Sequence, residues 1–552
     1  MFPKNNSGCF KKNKDNEMKK IFFILAIFCC VCVSALAQSM KMTSSQKLRY
    51  AEGIISNYYV DTVNSDKIVE EAIIAMLKTL DPHSTYSNAE ETKEMTEPLK
   101  GNFSGIGITF NMQTDTLYVL QTLANGPSEK VGIVPGDRII SANDTIISGV
   151  KKKNNDVIKL LRGPKGTEVV LKVLRKGQKD LLTFRVVRDD IPIYSVDAAF
   201  MADATTGYVR ISRFAEETNE EFLKAVKDLK KQGMKDIIID LQDNGGGYLG
   251  SAYHLACNFL RRGDLVVYTE GLRSQPYYFN AESNGSLLDG KVVVLVNQYS
   301  ASASEIVAGA LQDNDRGLIV GRRTFGKGLV QRPFPFPDGS MIKLTISRYH
   351  TPSGRCIQRP YENGEADEYR EDIMRRYESG ELMNEDSVHF VDSLKYATLK
   401  NHRIVYGGGG IMPDKFIPVD TTEYSEYYRK MVASGNLHKF CLNYVDENRK
   451  ALKKKYANDD DFVNDFVVTD EIMADLIAQC EKDSVKYDEE QYRRSENLIK
   501  VAVKGNIASD LYGSKSAYKV TAPYDKAFIG ALDLIKNEEE YERLLKEGGL
   551  KK

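Results

Sequence analysis

KVVVLVNQYSASASEIVAGALQD (residues 291–313) passes from an unbroken apolar run, through alternating serine and alanine, into a segment with helical apolar spacing. A short apolar run rich in β-branched residues reads as a strand buried on both faces, and the segment after the serines reads as a helix. The turn between them puts Ser302 at a helix start, where backbone N–H groups are unpaired and the dipole favours negative charge. That geometry suits a serine that attacks a carbonyl, with the next amide, Ala303, aimed at the developing oxyanion. The stretch differs from the G-x-S-x-G elbow, and one of Ser300, Ser302 and Ser304 would serve equally well as an N-cap.

Working outward, strands and helices alternate from 205 to about 360. TGYVRISRF and KDIIIDL read as strands, NEEFLKAVKDLKKQG and GSAYHLACNFLRRG as helices, and GLIVG and SMIKLTISRYH as further strands. Alternation with apolar-throughout strands indicates an α/β layer whose sheet is covered on at least one face. Residues 41–98 read as helical, with DPHSTYS ending the second helix because Pro82 blocks continuation. Residues 99–190 change to short alternating strands with one helix, NNDVIKLLRG, which makes a small all-β domain. Residues 361–402 read as an exposed, charge-rich helical insertion, YGGGGIMPD as a tight backbone path, and 419–552 as a helical C-terminal extension. The KALKKKYAND run reads as a solvated face.

The chain has 552 residues, 42% apolar and 28% charged, which suits a multidomain globular protein. Its formal net charge of −1 argues against nucleic-acid binding through a broad basic field. At Met18 a Lys-Lys pair, an apolar run from Ile21 and Ala35-Leu36-Ala37 form the pattern of a secretory signal, with cleavage expected after Ala37. Export, to a periplasm in a Gram-negative source, is therefore expected. Beyond the leader, Cys257, Cys356, Cys441 and Cys480 are too scattered for a zinc site; one or two disulfides are compatible with their number. No metal or organic cofactor is expected.

A serine nucleophile needs a base. None of His83, His254, His350, His389, His402 and His438 sits in a stretch with catalytic character. Lys327, between Gly326 and Gly328 in TFGKGLVQ, is a second candidate, because a lysine taken out of water loses its preference for the charged form and accepts a proton. In DLQDNGGG (240–247) the glycines can turn an N–H toward an anion, and no Lys-Ser/Thr follows at phosphate-loop spacing.

Taken together, DLQDNGGG, SASASEIVAGALQD, TFGKGLVQ, TPSGRCIQ, YGGGGIMPD and DPHSTY resemble the C-terminal processing peptidases, or tail-specific proteases, over residues from about 45 to 418. The resemblance implies a crotonase-like α/β protease core of mixed sheet and helices, with an inserted all-β PDZ domain, a helical N-terminal segment and an α-helical C-terminal extension. The corresponding boundaries are 1–37 for leader and signal, 41–98, 99–190, 191–418 with the charged insertion, and 419–552. By the same resemblance Ser302 is the nucleophile, Lys327 the general base and Gln331 the residue that orients it. Gly247 or Gly246 with Ala303 forms the oxyanion hole, and Glu305 and Thr324 support the site. SGIGI, with Gly105, Ile106, Gly107 and Ile108, resembles a PDZ carboxylate-binding loop. The implied activity is a serine endopeptidase acting on protein or peptide substrates with free C-termini. A homo-oligomer and peripheral membrane association are both compatible with the sequence. A rival reading is a non-catalytic PDZ scaffold, and another is a different acyl-transfer enzyme on the same core.

Overall fold

The computed structural model describes residues 42–112, 115–389 and 391–549. The expected signal segment and its cysteines lie outside these residues. The chain divides into two units, residues 1–76 and 77–552. In the first, the helix Ser44–Tyr58 starts on a capping box between Thr43 and Gln46.

The second unit is built on a six-stranded sheet in the order Val196–Met201, Thr206–Ile211, Asp236–Asp240, Val292–Val296, Leu318–Gly321, Lys415–Phe416. The first pair is antiparallel and the other four are parallel. Side chains alternate along a strand, so one strand supplies two cores. Val292, Val294 and Val296 pack with the helices Thr218–Lys231, Leu249–Cys257 and Ala303–Asp313. Val293 and Leu295 face the other way, against Phe528, Leu534, Ile535, Tyr541 and Leu544 of the last two helices, Lys526–Lys536 and Glu538–Glu547. The end of the C-terminal extension is therefore a layer of the α/β core rather than an appendage. Its earlier helices, from Glu426 to Tyr512, close a separate core around Met431, Phe462, Leu476 and Ile499.

A five-stranded antiparallel sheet joins distant parts of the sequence. Leu329–Pro335 pairs with Met341–His350, which also pairs with Leu265–Gly271 and with the short strand Thr85–Ser87. DPHSTYS thus does more than end a helix, because it leads into this sheet. The next helix, Ala89–Lys100, contains Pro98 and runs past the expected end of the helical segment. The all-β domain is a six-stranded sheet with the helix Asn154–Leu161 packed on it. Its entry and exit strands, Asn102–Gly105 and Asp189–Pro192, pair with each other.

Two expectations change. The charged insertion is not simply exposed: Tyr369, Arg376, Glu381 and Leu382 are buried, because they pack behind the loop that carries Lys327. The four described cysteines are all free thiols. The lysines of KALKKKYAND are exposed, as a solvated face requires.

Phe528 is buried against the central sheet. Phe528→Ala is expected to destabilise the protein by about 3 kcal/mol, seen as a lowered midpoint in chemical denaturation. An unchanged midpoint would mean that the last helices do not belong to the core.

Candidate active site

The strand Val292–Val296 ends at a turn that separates the three serines by environment. The Ser300 hydroxyl donates to the Leu241 carbonyl at 2.8 Å and that of Ser304 to the Asn244 carbonyl at 2.8 Å, and both residues are fully buried. Ser302 is the N-cap residue of the helix Ala303–Asp313 and faces Glu305 in a capping-box arrangement, in which the Glu305 amide donates to the Ser302 carbonyl at 2.9 Å. Its backbone sits at φ 56°, ψ −112°. A side chain at positive φ costs on the order of 1–3 kcal/mol, and it persists only where surrounding contacts hold it.

Those contacts come from two buried side chains. Glu305 Oε2 accepts from the Ser302 amide at 2.8 Å and the Lys327 amide at 2.9 Å. Its Oε1 accepts from the Thr324 hydroxyl at 2.5 Å and the Gly326 amide at 2.7 Å. Burial pushes this carboxyl above its ordinary value while the four donors pull it back. Three of these donors are backbone amides, which cannot accept a proton in return, and they favour the carboxylate form. On the opposite side of the same two residues, the Tyr349 hydroxyl lies 2.7 Å from the Lys327 carbonyl and 3.1 Å from the Ser302 carbonyl. Backbone amide and carbonyl of both residues are thereby tied together.

Thr324 does more than turn the chain. Besides donating to Glu305, its hydroxyl accepts from the Ile411 amide at 2.6 Å, which joins the Gly-rich 407–410 loop to the Lys327 loop. Arg376 of the insertion donates to the carbonyls of Arg323 (2.6 Å) and Thr324 (3.1 Å) from behind.

Of the glycines in DLQDNGGG, two are tightly enclosed, one against the serine turn and one against Phe214. A Cβ on Gly246 would lie 2.9 Å from the Ser302 Cβ, and one on Gly247 would lie 2.2 Å from the Phe214 carbonyl oxygen. Only a residue without a side chain fits either place. The Gly246 amide is committed to Asn244 Oδ1 at 2.9 Å, whereas the amides of Gly247 and Ala303 have no partner among the described residues. Between the two candidates, Gly247 is the one with a donor to spare.

Ser302, Ala303, Gly246, Gly247, Lys327 and Gln331 line one cleft of about 580 Å³, roofed by Met95, Pro98 and Leu99 of the Ala89–Lys100 helix. Burial, and next the Lys343 ammonium, push the Lys327 amine down to about 8 against the carboxylates of Glu305 and Asp81. Gln331 makes only long contacts, 3.4 Å to the Thr345 hydroxyl and 3.5 Å to the Leu329 carbonyl, and no hydrogen bond joins it to Lys327. Thr345 in turn donates to Asp81 at 3.0 Å. His83 lies near Lys327 but is pushed down to about 3, by burial and then by that lysine. It bonds the Tyr369 hydroxyl at 3.0 Å. His254 is exposed, and His350 pairs with Glu270 at 3.1 Å.

Tyr349, Lys343 and Thr345 were not among the candidate residues. Period-two alternation along Met341–His350 was the available signal for Lys343 and Thr345, since it puts them on one side with Met341; a register shift between Thr345 and Ser347 hides Tyr349 from that pattern. In the all-β domain, Gly105 and Ile106 are buried, Gly107 has φ 69°, and Ile108 begins a strand. The Ile106 and Gly107 amides have no backbone partner among the described residues, as an anion-binding loop needs.

Comparison with known proteins matches residues 205–364 to the family described as peptidase family S41 and residues 104–187 to the PDZ domain. Residues 32–92 match the N-terminal domain of the activating protease CtpB, and 427–513 match a family of unknown function, DUF8443. The chain is 35% identical over 352 residues to a carboxy-terminal-processing protease of Bartonella bacilliformis, covering 62% of this chain and 80% of that one. It is 37% identical over 342 residues to the carboxy-terminal processing protease CtpB of Bacillus subtilis, covering 60% and 68%. Among solved structures it is similar to a photosystem II D1 C-terminal processing protease, at 29% identity and TM-score 0.31, covering 57% of this chain and 90% of that one.

Glycine substitution separates the two roles in the loop. A Cβ at Gly245 meets nothing within 4 Å. Gly245→Ala is expected to keep, and Gly246→Ala to lose, rapid labelling of Ser302 by a serine-directed acylating probe. Glu305→Gln, which turns one acceptor oxygen into a donor facing donors, is expected to cost about 3 kcal/mol or more of stability and to slow labelling.

Proposed function

Because the chain belongs to the carboxy-terminal processing proteases and is a serine-type peptidase with a PDZ domain, we propose that Ser302 is its nucleophile, that Lys327 is its general base and that it acts as an endopeptidase. The observation that carries this reading is the shared cleft: of the three serines only Ser302 lines it, together with a lysine of depressed basicity. The neutral Lys327 amine takes the Ser302 proton as the oxygen attacks the substrate carbonyl. The oxyanion then meets the amides of Gly247 and Ala303, which offer donors that nothing else uses. Collapse expels the leaving amine, which takes the proton back from Lys327, and an acyl-enzyme remains. Water attacks that ester by the same route in reverse, again giving its proton to Lys327. Glu305 and Tyr349 act as positioning residues, since they hold both backbones in place during the reaction.

The PDZ domain supports recognition of a substrate's C-terminus. Unpaired amides at Ile106 and Gly107 suit the terminal carboxylate, while the peptide adds to the edge of the strand Ile108–Asn111. Gln331 lines the same cleft as Lys327, which supports a role in orienting the amine. The mixed sheet with helices on both faces favours the crotonase-like description of the core. The leader supports an exported, periplasmic enzyme, and the mature protein is expected to begin at Gln38 by mass.

Ser302→Ala and Lys327→Ala are each expected to abolish cleavage of an unfolded protein substrate while leaving PDZ peptide binding intact. Cleavage unchanged by both substitutions would remove these residues from the mechanism. The base works only when neutral and its pKa is lowered to about 8. The kcat/KM of the wild type should therefore rise with pH up to about 8 and level off above it. A flat profile from about pH 6 to 9 would argue for another base.

A further inference from the structure

The cleft that holds Ser302 has a charge pattern that the acyl-transfer chemistry uses only in part, through the effect of Lys343 on Lys327. Among the described residues that line it, three are cationic, Lys327, Lys343 and Arg213, and none is acidic. Much of the rest is apolar, including Met95, Leu249, Ile306 and Met341. Lys327 must be neutral to act as a base, so its charge is withdrawn in the reactive form. Lys343 and Arg213 remain.

Neither has a counter-ion among the described residues. Lys343 is half-buried and makes no ion pair or side-chain hydrogen bond, and burial alone lowers its basicity, with no carboxylate to offset it. Asp81, on the turn beside the same strand, has its oxygens filled by the Ser84 hydroxyl (2.5 Å), the Thr345 hydroxyl (3.0 Å) and the His83 and Ser84 amides (2.9 and 3.1 Å). Arg213 is also half-buried and unpaired. Asp197, whose carboxyl feels it, is bonded to the Ser212 hydroxyl at 2.9 Å. The two cations flank the site. Arg213 precedes Phe214, whose amide donates to the Gly246 carbonyl at 3.0 Å, on the oxyanion side. Lys343 is in register with Pro333 of the strand that follows Lys327, on the base side. A half-desolvated cation without a partner is costly, and the cost is recovered when an anion arrives.

Resting on the reading of this cleft as the proteolytic site, we propose that Lys343 is a specificity-determining residue that selects substrates carrying a carboxylate close to the scissile bond, beside an apolar side chain. The carboxylate belongs either to an Asp or Glu side chain or to a peptide terminus that has reached the cleft. Lys343 reads the charge common to both. Arg213 gives the opposite side of the cleft the same sign and so disfavours basic residues there.

The test uses the full mature enzyme and short fluorogenic peptides with an apolar residue at the cleavage site. Glu, Gln or Lys is placed in turn at each of the three positions on either side, with the C-terminus as free acid or amide. For the wild type, kcat/KM is expected to be about tenfold higher for Glu than for Gln at one or more positions, and lowest for Lys. A preference confined to the free acid over the amide assigns the carboxylate to the terminus and supports the same site. In Lys343→Met the Glu to Gln ratio should fall to about one, and in Lys343→Arg it should persist. Thermal unfolding of each variant separates loss of preference from loss of fold. Equal rates for Glu and Gln, and for acid and amide, in the wild type would overturn the proposal, as would a preference that survives Lys343→Met in a folded protein. Cleavage of the neutral Gln peptide that disappears in Ser302→Ala shows that the proteolytic reading stands whichever way the charge result falls.

Discussion

One buried carboxylate holds this site together. Glu305 spends all its acceptor positions on two segments of chain, the turn at Ser302 and the loop at 324–327. A carboxylate in the interior is tolerated only when its desolvation is offset by such donors. The dependence runs both ways: the loop cannot move without exposing an unpaired charge, and the charge cannot stay without the loop. Tyr349 adds the matching constraint on the carbonyl side of the same two residues. Strain at Ser302 persists because the backbone groups around it are already committed.

The rest of the fold supports that joint. The insertion presses Arg376 onto the carbonyls behind Lys327, and the Gly-rich loop meets Thr324 from the other side. Arg355 of TPSGRCIQ forms a fully buried pair with Asp313, at the end of the helix that Ser302 begins. Each brace comes from a different stretch of sequence, so the geometry of one cleft is a property of the whole core. The C-terminal extension takes part in two ways. Its last helices close the second face of the central sheet. Its Asp446 accepts from the Tyr118 hydroxyl and the Arg138 guanidinium of the PDZ domain, each at 2.8 Å, which ties that domain to the core it serves.

Much of this is legible in the amino-acid order. The apolar run at 292–296, the turn and the helix behind it are local features, and local period and composition state them directly. TFGKGLVQ and DLQDNGGG mark the remaining pieces of the cleft because glycine beside a polar residue announces a close approach. Other parts mislead for equally definite reasons. A helix dense with charge looks solvated, and nothing in its own composition says that Tyr369 and Arg376 turn inward. Amphipathic helices in a tail look like an appendage, since the sheet face they cover lies far away along the chain.

The sequence by itself determined the kinds of element, their order, and the residue types able to do acyl chemistry, because those depend on short-range spacing and on side-chain chemistry. Only the tertiary structure decided which of three serines faces the cleft, which glycine keeps a free amide, and which cations face the same space unpaired. Those facts depend on partners brought from elsewhere in the chain, and on how much water each group loses when they meet.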